Sequence, residues 1–82
     1  MMPIEVTVLY FGALRDAAGV ERESRTTVVS SLRALWDECA STHGLGRASS
    51  SVRVAVNGAF AAWSDAPMAA SEVAFMPPFT GG

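Results

Sequence analysis

Lysine is missing from this sequence of 82 residues: all six basic side chains are arginine, at positions 15, 22, 25, 33, 47 and 53. Codon usage in a GC-rich genome accounts for that. So would a benefit from having no internal side-chain amine to attack an activated carboxyl group, and composition alone does not choose. Charge of either sign is scarce, with six basic against eight acidic residues and a net charge of -2. No basic cluster is available to displace counterions from phosphates, which argues against nucleic-acid binding. The single cysteine, Cys39, excludes an internal disulfide. A secreted domain this small would ordinarily use such staples. No apolar run approaches the roughly 18 residues of a membrane span. The opening Met-Met-Pro-Ile-Glu lacks the charged-then-apolar layout of a secretory leader. A soluble cytoplasmic protein without membrane contact is therefore expected. Repeats and low-complexity tracts are absent, and Gly44-Leu45-Gly46 is not followed by a phosphate-loop motif. His43 is the one histidine, and a lone His makes a poor metal site, so no metal site is expected.

What is present suffices for one small core, since half the residues are hydrophobic. Residues 4–11 are rich in β-branched and aromatic side chains and read as a strand. Ile4, Val6, Val8 and Tyr10 share one face, the core face, and Glu5, Thr7, Leu9 and Phe11 share the other. Residues 12–19 form a connection with a helical turn at 14–18. Residues 20–27 make a weak, polar strand suited to a sheet edge. Thr27 offers an N-cap oxygen. Val29, Leu32, Leu35, Trp36, Cys39 and Ala40 then recur at three- and four-residue steps, the apolar stripe of an amphipathic helix that Gly44 ends. Asp37 and Glu38 lie off the stripe on a solvated face, and Cys39 reads as a small buried thiol. Residues 44–51 are the clearest loop. Residues 52–56 alternate as a strand, Asn57-Gly58 is a strong hairpin signal, and 60–63 is the returning strand. After a turn near Asp65-Ala66-Pro67, residues 72–76 form the last strand, with Val73 and Phe75 on one face and Ala74 and Met76 on the other. The order predicts an α+β fold, one helix across a mixed sheet of about five strands, with the first and last strands parallel at its centre.

Pro77-Pro78 ends the last strand, because proline donates nothing to a ladder. The folded domain is thus expected over residues 1–78, with a flexible tail over 79–82. Phe79-Thr80-Gly81-Gly82 leaves only backbone around a terminal carboxylate, which can thread a narrow tunnel toward a nucleotide phosphate. Once adenylated, that carboxylate could accept a sulfur nucleophile, and no side chain of this chain need take part. Chance gives a closing Gly-Gly about once in two hundred sequences at average usage. Read alone, the tail allows a sulfur carrier, a modifier joined to amines, or an inert end.

Three stretches carry a family likeness. Residues 8–15 (Val-Leu-Tyr-Phe-Gly-Ala-Leu-Arg), residues 54–57 (Val-Ala-Val-Asn) and residues 72–82, ending Phe75-Met76-Pro77-Pro78-Phe79-Thr80-Gly81-Gly82, resemble the small subunit of molybdopterin synthase, the MoaD family of ubiquitin-like sulfur carriers with a β-grasp fold. The resemblance implies that Gly82 carries a thiocarboxylate (a covalent 1-thioglycine) with Gly81 as its spacer, and that no cofactor is otherwise bound. It implies charging with ATP by an adenylating enzyme of the ubiquitin-activating type. It further implies donation of sulfur to precursor Z, cyclic pyranopterin monophosphate, in the active site of a large synthase subunit. That subunit would hold the catalytic side chains, so this chain would be a non-catalytic carrier in a heterotetramer of two small and two large subunits. The sequence departs from the family at Met76, where an aromatic is common, and at Val28-Val29-Ser30-Ser31-Leu32 in place of Thr-Val-x-x-Leu.

Alternation also gathers Leu9, Phe11, Ala55, Ala74 and Met76, with Phe60 from the neighbouring strand, on the sheet face away from the helix. A solvent-facing sheet surface is normally polar, so an apolar cluster beside the tail reads as a docking face. A register shifted by one would make the same residues core. The expected partner contacts are Phe11, Phe60, Met76, Pro77, Pro78, Phe79 and Thr80.

Overall fold

The computed structural model describes residues 2–45 and 51–77. In chain order the elements are β1 (Ile4–Tyr10), α1 (Gly12–Ala18), β2 (Arg22–Thr27), α2 (Leu32–His43), β3 (Arg53–Val56), β4 (Ala59–Phe60) and β5 (Glu72–Met76). The five strands form one sheet in the order β2-β1-β5-β3-β4. β1 and β5 pair in parallel at its middle, and the other contacts are antiparallel. This is the α+β arrangement expected from the alternating strands, with a second helix added.

One face of the sheet buries Val6, Val8 and Tyr10 of β1, Val54 of β3, and Val73 and Phe75 of β5 against Leu32, Leu35, Trp36 and Cys39 of α2. The stripe at three- and four-residue spacing is what makes α2 fit, because it presents one continuous apolar face. Trp36 meets the Phe75 ring edge-on at 5.0 Å, and Trp63 stacks on Phe75 at 6.1 Å. The edge strand β2 shows solvent Arg22, Ser24 and Thr26, polar side chains that discourage edge pairing.

Four local expectations need correction. α2 starts at Leu32, and its N-cap is Ser31, whose side chain accepts from the Ala34 N–H at 3.1 Å; Thr27 is not the cap. The Thr27 hydroxyl instead donates to Glu38 Oε1 at 2.9 Å. Glu38 is accordingly half-buried, and only Asp37 of that pair is fully exposed. Val29 precedes the helix but still packs against the core. The returning strand is only Ala59–Phe60, not 60–63. Beyond it the Ala61 N–H reaches the Val54 carbonyl, and the chain then turns with the Ala62 N–H bonded to the Asp65 carboxylate. The turn brings the Trp63 and Asp65 carbonyls to the Arg33 and Leu32 N–H groups at 3.0 and 2.8 Å. Those helix-end donors would otherwise lack partners, so capping α2 outweighs a longer ladder. Finally, residues 12–18 form a seven-residue helix, longer than the single turn expected, anchored by buried Leu14.

Gly44 closes α2 at φ +70, as expected. Asn57 and Gly58 both take positive φ, 50 and 87, the pattern of a type I′ hairpin turn. Asn57 also clamps the hairpin to β5, since its N–H donates to the Glu72 carbonyl and its side-chain oxygen accepts from the Glu72 N–H.

Candidate functional site

The face of the sheet turned away from α2 carries an apolar hollow of about 240 Å³, lined by Leu9, Phe11, Ala55, Gly58, Phe60, Glu72, Ala74 and Met76. Strand register builds it. Leu9 lies opposite Arg22 and Ala74, Ala74 opposite Ala55, and Ala55 opposite Phe60, so one row of side chains crosses all five strands. Because side chains alternate, this row cannot belong to the core while Val8, Val73 and Val54 do. The small residues Ala55 and Ala74 form the floor. Phe11, 47% exposed, and Phe60, 64% exposed, stand at its sides.

The hollow adjoins the place where the chain leaves the sheet. The Phe11 N–H donates to the Phe75 carbonyl at 3.3 Å, carrying the β1–β5 pairing one residue past the strand end. At the next residue, Gly12, φ is +54, and a Cβ there would stand 2.9 Å from Pro77 Cγ. Pro77 therefore packs on bare backbone, directly after Met76 and against the residue that follows Phe11. Pro78, Phe79, Thr80, Gly81 and Gly82 lie outside the described residues.

Of the expected site residues, then, the structure brings Phe11, Phe60 and Met76 to one hollow with Leu9, Ala55 and Ala74, and sets Pro77 at its margin. Sequence reading missed Glu72 and Gly58 as lining residues and Gly12 as the seat of Pro77. The two-residue period already put Glu72 on the face of Ala74 and Met76. Nothing in the sequence announced the Gly12 contact, which depends on the turn into α1.

A polar cluster sits elsewhere, between β1, β2 and α2. The Tyr10 hydroxyl donates to Glu23 Oε2 at 2.6 Å, and His43 Nε2 stands 3.0 Å from the same oxygen. The His43 ring meets Tyr10 edge-on at 5.4 Å. Burial alone would raise the Glu23 carboxyl. Hydrogen bonds from Tyr10 and His43, with the nearby positive charge of Arg25, hold it below its ordinary value. Burial pushes the Tyr10 phenol well above its usual range, and hydrogen bonds to Cys39 and Glu23 push the same way. Burial likewise raises the Cys39 thiol. Cys39 is wholly inaccessible, so it has neither the exposure nor the thiolate character of a sulfur relay. Among the described residues no three His, Cys, Asp or Glu side chains gather as metal ligands, and no helix is long and apolar enough to cross a membrane.

The hollow and Pro77 beside it set the end of the last strand next to an apolar surface. A model of the ThiS family matches residues 8–82. The chain belongs to the ThiS family. No match was found among curated proteins. Solved structures give the same fold as this ThiS-family chain. A Pyrococcus furiosus protein provisionally named molybdopterin converting factor subunit 1 shares 26% identity, with 92% of this chain and 98% of that chain covered and a TM-score of 0.79. SAMP1 of Haloferax volcanii, a small archaeal modifier protein, shares 23% identity over 95% of this chain and 99% of its own, with a TM-score of 0.81. A chain in the complex of molybdopterin-converting factor subunits 1 and 2 from Helicobacter pylori shares 19% identity, with coverage of 96% and 100% and a TM-score of 0.65. The fold is thus the ubiquitin-like β-grasp, which these solved structures share.

Proposed function

We propose that this chain is a sulfur carrier that serves molybdopterin synthesis through Gly82. The observation that carries this reading is the family match running through Gly82 itself, the residue that would bear the sulfur. The likeness to the Pyrococcus furiosus protein, together with Pro77-Pro78 before the tail, favours the molybdopterin product.

In this reading an adenylating partner joins the Gly82 carboxylate to the α-phosphate of ATP and releases pyrophosphate. The acyl-adenylate is a mixed anhydride with a good leaving group. A hydrosulfide equivalent attacks its carbonyl carbon, the bond to AMP breaks, and a thiocarboxylate remains after loss of a proton. That sulfur is the nucleophile delivered to cyclic pyranopterin monophosphate, with two charged carriers supplying the two dithiolene sulfurs. This chain contributes the narrow tail and the docking face, and the large subunit contributes the catalytic side chains. In this reading the hollow seats that large subunit, and the Helicobacter pylori neighbour comes from a complex of subunits 1 and 2.

The family match also suits a carrier whose sulfur goes to another product, such as the thiazole of thiamine or a cysteine-forming route. The deciding experiment mixes the charged chain with the large synthase subunit and cyclic pyranopterin monophosphate. Molybdopterin should form, and a chain lacking Gly81 and Gly82 should form none. A charged chain that yields no molybdopterin with a large subunit active toward another carrier would sink the pathway assignment.

A further inference from the structure

We propose that the docking face selects its partner through Arg53, which reads a carboxylate at the tail end of the hollow. This rests on the carrier reading above, which supplies the partner. The size of the hollow comes first. About 240 Å³ falls below the ~300–1,000 Å³ usual for small-molecule sites and suits one large apolar side chain of a protein surface.

The second observation is polarity along β5. Glu72 stands at the start of that strand and Met76 at its end, so charge differs between the two ends of the hollow. Arg53 lies opposite Met76 in the β3–β5 register and therefore on the same face. Its guanidinium sits over the Phe60 ring, 5.7 Å from the centroid. Arg53 is thus rooted beside Met76, at the end of β5, with its cation resting on Phe60.

The third is pairing. Glu72 already has Arg22 at 3.5 Å. Among the described residues no carboxylate pairs with Arg53 in the same way. A partner surface that covers Phe60 and Met76 also covers the guanidinium resting on Phe60. Burying a charge without a counter-ion is strongly unfavourable, so the partner must bring an anion to that spot. The planar, forked donor set of arginine matches a carboxylate bidentately. The Glu72 end makes no such demand. The fitting partner surface is therefore an apolar anchor with an Asp or Glu beside it, on the side where the tail enters.

The test is calorimetric titration of the full chain onto the large molybdopterin-synthase subunit of the same organism, at low and high salt. Arg53→Gln should weaken binding about tenfold or more, and Arg53→Glu further, with Arg53→Lys retaining part of the affinity. Raising salt should weaken the wild-type complex and move the Arg53→Gln complex much less. Because Arg53 is exposed, all three variants should keep the wild-type Tm. Binding of Arg53→Glu within about twofold of wild type, while Met76→Asp abolishes binding, would overturn the role of Arg53 and leave the carrier reading standing. A wild-type chain that neither binds the large subunit nor accepts sulfur would overturn both.

Discussion

Gly12 and Pro77 are locked together: the proline ring occupies the space that any side chain at Gly12 would need, with Pro77 Cγ 2.9 Å from the position of a Cβ. The same glycine holds φ at +54, where an L side chain costs roughly 1–2 kcal/mol. Gly12→Ala should therefore destabilise the domain by at least that much in urea denaturation. Adding Pro77→Ala should recover the part due to the ring contact and leave the part due to φ. No recovery in the double variant would show that the two residues do not press on one another.

Phe11 and Met76 line the hollow without filling the core, so charge introduced there should cost affinity and not structure. Phe11→Asp and Met76→Asp should weaken binding to the large subunit by about 2 kcal/mol or more, in the range of interface hot spots. Their far-ultraviolet circular dichroism should match wild type. Unfolding of both variants would mean these side chains hold the fold, contrary to the register seen here.

The aromatic centre should behave in the opposite way. Phe75 is fully buried and touches Trp36, Trp63 and Tyr10. Phe75→Ala should cost about 3–5 kcal/mol. In a domain of this size that lowers Tm by more than ~10 °C, readable by calorimetry.

Acid should unfold the protein partly through Glu23. Its carboxyl is held below the ordinary value of 4.5 in the folded state, so the folded chain binds its proton less readily than the unfolded chain does. The resulting stabilisation is fully present above pH 4.5 and is lost as pH falls through the lower folded value. Glu23→Gln should be less stable than wild type at pH 7 and should lose less stability on acidification. A variant whose acid transition parallels wild type would remove Glu23 from this account.

How far the sequence reached is clearest strand by strand. Alternation in residues 4–11 separated Val6, Val8 and Tyr10 from Leu9 and Phe11, and the observed sheet keeps that division. Asn57-Gly58 marked the hairpin because few residues other than Asn and Gly accept positive φ. The hollow followed from the same periodicity. The cap of α2 was not legible: Thr27 and Ser31 carry equivalent hydroxyls, and the choice was made by the Trp63 and Asp65 carbonyls, which approach from over thirty residues away. The short β4 has the same cause, since Trp63 leaves the sheet to stack on Phe75. α1 was underread because seven residues hold too little apolar periodicity to announce a helix; Leu14 burial supplies its stability.

The central claim is that Gly82 carries sulfur. Its most direct test is intact-mass analysis of the full chain after incubation with the adenylating enzyme, ATP and a sulfur donor. The account predicts a gain of about 16 Da, one oxygen replaced by sulfur, confined to the C-terminal peptide and absent without ATP. An unchanged mass, under conditions that charge another ThiS-family carrier with the same enzyme, would contradict it.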